Sequence, residues 1–202
     1  MSAFARGSTW GTVVLTAVAA LFATACGSPA VPPVAERTFA HPESGYRFVA
    51  PPHWQVMRGE VRSPNATLIT IQVLALDDAE ESFVKGLPGT IVPQLEAWAK
   101  YYFRVVGAPV QRPTTLAGQP ALEVTYPVRV RETDAPGQVS YWVAVHSNRI
   151  YIIRVSVPAR STSQDDAGLR EFLASWQFTT PTGGSDQGPA GTFVLSIPKK
   201  PS

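Results

Sequence analysis

A single cysteine in 202 residues rules out an intramolecular disulfide, so no covalent staple holds the fold. Histidine is nearly as scarce: His41, His53 and His146 are the full set, and no two stand three or four residues apart. A zinc-type spacing is therefore absent. Charge is sparse, at 16%, and balanced: residues 39–181 hold 13 Lys/Arg and 13 Asp/Glu, so the formal +2 arises in the tails. No basic stripe or aromatic-basic interleaving is present to neutralise a run of phosphates, which excludes nucleic acid as a partner. No Gly-x-Ser-x-Gly elbow and no phosphate-binding glycine loop follows a strand. These absences point away from an enzyme and imply no cofactor.

What is present begins with 45% hydrophobic residues, enough for a packed core, and 19 prolines and 15 glycines that announce many turns. Residues 1–11 carry one charge, Arg6, and Thr12–Ala25 is an uncharged run of 14 residues rich in Val, Leu and Ala. That run is shorter than the roughly 20 residues of a membrane span and ends in small side chains, as an export signal does. The expected division is a signal peptide at 1–25, a modified cysteine and linker at 26–38, one domain at 39–181 and a flexible tail at 182–202.

The segment Leu21-Phe22-Ala23-Thr24-Ala25-Cys26 resembles a lipobox, with Ala23 in place of the commoner leucine. Ala23-Thr24-Ala25 also fits an ordinary signal peptidase site, and Cys26 decides between the two. An unmodified exposed thiol in an oxidising compartment is a liability, whereas lipid on Cys26 explains why the chain keeps it. The resemblance implies acyl chains such as palmitate at Cys26, two or more of which hold firmly to a membrane. Residue 28 is Ser, not Asp, which implies the outer membrane if the host has two. Gly27–Thr38, rich in Pro and Ala, gives a semi-rigid reach of roughly 35 Å. The expected location is the cell envelope, with the membrane and an envelope protein as partners.

Within the domain, TFAHPESGYRFVAP places two β-rich runs around a turn cluster, a hairpin signal. Residues 66–76 are nearly continuous in apolar character, as in a strand covered on both faces. Ile91, Leu95, Trp98, Tyr102 and Val105 recur at helical spacing and predict a helix over 90–106, with Thr90 as N-cap, Pro93 in the first turn and Gly107 past the end. Leu169, Phe172, Leu173 and Trp176 predict a second over 165–176, and a shorter helix is open for 78–85. Leu122, Val124, Tyr126, Val128 and Val130 alternate strictly, then Val139–His146 and Ile150–Val157 follow across short turns, an antiparallel meander. The class is α+β.

The phrase HPESGYRFVAPPHWQV, the Leu116-Ala117-Gly118-Gln119-Pro120-Ala121 lead into a long strand, and the closing Phe172-Leu173-Ala174-Ser175-Trp176-Gln177-Phe178 together resemble the PsbP-like group and its bacterial lipoprotein members. The match spans roughly residues 39–180. It implies an α-β-α sandwich with a central antiparallel sheet, and accessory or scaffolding roles in place of catalysis.

Few residues offer chemistry. Asp77, Asp78, Glu80 and Glu81 cluster as hard cations require, but they also suit a solvated helix start, the preferred reading. His41 and His53 flank the first hairpin and could meet in space, though turn or core roles are favoured. His146, closing a strand, reads as a surface residue. Trp54, Trp98, Trp142 and Trp176 fall on apolar patterns and read as core. Tyr101, Phe103, Tyr141 and Tyr151 are candidates for an exposed aromatic patch. The favoured function is docking of an envelope partner. Alternatives are a carrier of a small apolar ligand, with a closed cavity lined by Trp98, Tyr102 and Phe172, and a divalent-cation module at the acidic cluster.

Overall fold

The computed structural model describes residues 31–57, 59–76, 87–159 and 161–182. Cys26, the acidic cluster at 77–81, the 78–85 segment and the tail from 183 lie outside the described residues.

A 3-10 turn at Val34–Arg37 leads into β1 (Thr38–His41) and β2 (Tyr46–Val49), the expected hairpin, with Thr38 opposite Val49 and His41 opposite Tyr46. Next come β3 (Gln55–Met57), β4 (Glu60–Arg62), β5 (Leu68–Ala75) and helix α1 (Leu87–Tyr102). Then follow β6 (Phe103–Val105), β7 (Val110–Leu116), β8 (Gln119–Val130), β9 (Pro136–His146), β10 (Arg149–Pro158), helix α2 (Ser163–Ser175) and β11 (Gln177–Phe178). One sheet runs β3-β4-β5-β10-β9-β8-β6, with β7 also on β8, and a small sheet runs β1-β2-β11. Every pairing is antiparallel.

The α+β class holds, and the core explains the layering. On one face of the large sheet, Val124, Tyr126, Val139, Tyr141, Ile150 and Ile152 pack under Ile91, Leu95, Trp98 and Ala99 of α1. On the other, Ile69, Ile71, Val73, Tyr151 and Ile153 pack against Phe172 and Trp176 at α2 and against Tyr46 and Phe48 of the small sheet. The alternation of residues along each strand feeds both layers, giving helix, sheet, then helix with small sheet. Each fully buried large side chain contributes about 1.5–3 kcal/mol of transfer free energy.

Two helix boundaries differ from expectation. Helix α1 starts at Leu87, so Thr90 and Pro93 lie inside it, and Pro93 leaves the carbonyl of Gly89 without its helical N–H. It stops at Tyr102, because Phe103–Val105 pair with Val130–Val128 on β8. β-branched and aromatic residues at an open sheet edge gain more from the ladder than from another helical turn. Helix α2 is set by Thr162, whose side chain accepts from the Asp165 N–H, while the Asp165 carboxylate accepts from the Thr162 N–H. This capping box satisfies two orphan donors. Gly168 lies where a Cβ would stand 2.9 Å from the Trp54 indole, so the helix passes directly over that ring.

Arg37 joins the chain's entry point to the core. Its guanidinium bonds the Ala50 carbonyl and the Glu171 carboxylate, the latter at 3.0 Å, while its own carbonyl accepts from the Ala50 N–H at 2.8 Å.

Candidate functional site

The small sheet leans over the large one beside α2, and between them the β1–β2 hairpin faces the β3–β4 hairpin. Strand β2 turns Tyr46 and Phe48 inward, where both rings stack on Trp176 at 4.8 and 6.2 Å between centres. Strand β1 lies outside β2, and its side chains continue the stack: Phe39 on Phe48 at 5.8 Å and His41 on Tyr46 at 5.3 Å. Opposite stand Val56, Met57 and Val61, with Ile71 on the floor. The result is an apolar, partly open groove of about 330 Å³. Phe39 and Met57, at 36% and 45% exposed, mark its rims. Glu60 and His41 complete the lining. Among the described residues, both bordering strands, β1 and β3, end their sheets, so each has a backbone edge without a described strand partner there.

The other candidates are dispersed. His53 is exposed in a turn with φ 66°, and no contact joins it to His41. Among the described residues no group of three His, Cys, Asp or Glu is placed to hold a metal. His146 is half-buried and stacks on Phe178 at 4.6 Å, so it closes the sheet as a packing residue and corrects the surface reading.

The proposed aromatic patch does not form. Tyr141 and Tyr151 are fully buried, because both faces of β9 and β10 are covered; Tyr101 alone of the four is largely exposed, and Phe103 is half-buried. Burial raises the hydroxyl pKa of Tyr126 to about 12, helped by the nearby Glu96, and burial also raises Tyr141 and Tyr151. The suggested carrier cavity fails too, since Trp98 and Tyr102 lie on the α1 face and Phe172 on the opposite one. Trp54, Trp98 and Trp176 are buried and Trp142 is half-buried, as core residues should be.

No protein-family model matches the chain, and no curated protein does. Solved structures do. The solution structure of cyanobacterial PsbP (CyanoP) from Synechocystis is similar at 11% identity and a TM-score of 0.47, over 70% of this chain and 91% of that one. A crystal structure from Bacteroides thetaiotaomicron is similar at 10% identity and a TM-score of 0.45, over 70% of this chain and 48% of that one.

Strands β3 and β4, which build half of the groove, show no strand pattern in the sequence. Their only signal is Val56 and Val61 on either side of Gly59, which takes φ 73° in the β3–β4 turn. Strands of three residues are too short for alternation to register.

Proposed function

We propose that this chain is a non-catalytic accessory lipoprotein of the cell envelope, anchored through Cys26, whose groove docks an extended apolar segment of a partner protein. The supporting observation is the groove itself: an aromatic stack with two exposed apolar rims lies between two strand edges that no other described strand pairs with. An added strand gains main-chain hydrogen bonds from such an edge and places alternate side chains in the groove. Separately, the volume, near the lower end of small-ligand pockets, favours a small apolar molecule as the second reading.

A photocrosslinking residue at position 39 tests the docking. In cells, a discrete protein adduct forms there and not from exposed Val110. An adduct from both positions, or from neither, removes the docking proposal, and extractable lipid in place of an adduct favours the second reading. Anchoring is tested by intact mass of the full-length product in a bacterial host. The mass fits cleavage before Cys26 plus acyl chains, and the Cys26→Ser variant loses them; cleavage without lipid defeats that part.

A further inference from the structure

The chain leaves the small sheet beside the groove. Strand β11 lies on the β2 side of the β1–β2 hairpin, with Phe178 opposite Tyr46. Beyond it, the Thr179 N–H donates to the Gly45 carbonyl and the Thr182 N–H to the Pro42 carbonyl, each at 2.9 Å. The main chain therefore rounds the tip of the hairpin, from β2 to the end of β1. Pro42 directly follows His41, which is both the last residue of β1 and part of the groove lining. Whatever follows Thr182 starts at the groove.

In the sequence, nine residues at 183–191, four of them glycine, precede Thr192-Phe193-Val194-Leu195-Ser196-Ile197 and then Pro198. A glycine-rich chain of nine residues has a root-mean-square span of roughly 15–18 Å. The four residues of β1 extend over about 13 Å, so the run at 192–197 is tethered within reach of every point along that strand. The run is rich in β-branched and aromatic residues, and in extended form it would put Phe193, Leu195 and Ile197 on one face. Pro198, without an N–H, ends any ladder there. The two parts answer each other's need: an apolar, β-prone run has no sheet of its own, and the groove has apolar rims at Phe39 and Met57 beside a β1 edge that no described strand covers.

We infer that residues 192–197 of the chain itself occupy the groove, as a strand added to the β1 edge with Phe193, Leu195 and Ile197 turned toward Phe39, Phe48 and Met57. This rests on the docking reading in taking the same groove, and it adds a regulation: the segment is a tethered competitor that a partner must displace. A linker this short holds the segment at about millimolar effective concentration. With a Kd of roughly 0.1 mM, it fills the groove about nine-tenths of the time and weakens a partner's apparent affinity about tenfold.

A photocrosslinking residue at position 57 in the purified full-length protein tests the assignment, with the linked peptides mapped by mass spectrometry. Irradiation joins position 57 to residues 192–197 of the same chain. Leu195→Asp lowers that yield about fivefold or more, because it places a charge in an apolar groove, whereas Val194→Asp, on the opposite face, retains it. A link to another segment, no link at all, linked dimers in which a second copy fills the groove, or a yield that survives Leu195→Asp overturns the inference. In cells, Leu195→Asp also raises the partner adduct at position 39 several-fold, and an adduct of equal yield in both proteins overturns the competition. The self-link needs no partner, which separates the two readings. If it forms while neither protein gives an adduct in cells, the docking reading fails and the segment keeps the groove. An adduct without the self-link leaves docking standing and sinks the inference.

Discussion

Trp176→Ala destabilises the protein by about 3–5 kcal/mol, the range for a large aromatic removed from a packed core. At 1% exposure, the indole lies between the small sheet and α2. It stacks on Tyr46 at 4.8 Å and meets Phe172 at 6.0 Å and Tyr151 at 6.5 Å. No neighbour can fill the space without breaking its own ring contacts, so the cavity term adds to the lost transfer term. Urea unfolding of both proteins measures the difference, and Tm should fall by roughly 10 °C. Trp176→Phe separates shape from chemistry. The indole N–H has no hydrogen-bond partner, so phenylalanine discards an unpartnered donor and costs well under half as much. A loss below about 1 kcal/mol for Trp176→Ala would mean that the small sheet does not rest on this ring.

Gly45→Ala has the next largest effect, about 3 kcal/mol. Gly45 has φ +76°, where a Cβ costs roughly 1–2 kcal/mol. The added carbon would also stand 2.8 Å from the Thr179 carbonyl oxygen, a backbone atom that cannot swing aside. That contact is close because the Thr179 N–H donates to the Gly45 carbonyl at 2.9 Å, which ties the chain after β11 to the β1–β2 turn. Gly118 is the internal control: it has φ +77° but open space around its Cβ position. Gly118→Ala therefore carries the conformational cost alone, about 1 kcal/mol. Equal losses in the two variants, measured by urea unfolding, would show that the approach to Thr179 contributes nothing.

The strands legible in the sequence were those whose own residues decide their state. The alternation from Leu122 to Val130 became β8, with Val124, Tyr126 and Val128 buried beneath α1. The Pro-Glu-Ser-Gly cluster became the β1–β2 turn. What escaped depends on partners distant in the chain. Strand β7 reads VQRPTTL, mostly exposed and without alternation, and is a strand because β8 offers it an edge. Phe103–Val105 continue the helical spacing of α1, yet β8 claims them. Tyr141 and Tyr151 looked available because periodicity tells which residues share a face, not whether that face is covered. The groove was illegible for the same reason. Its walls come from residues 39–48 and 56–61 and its floor from Ile71, and only the layering of the two sheets brings them together.

The Arg37 contacts have a mechanical consequence. Thr38 pairs with Val49 at the open end of the β1–β2 hairpin, away from its turn. Tension drawn through the preceding residues would open that hairpin as a zipper opens, one rung after another, each weak alone. Arg37 sits immediately before the first rung and fastens it to the Ala50 carbonyl and to Glu171 on α2. A pull from the N-terminal side is thereby shared with a helix docked on the core before it can begin to peel the strand.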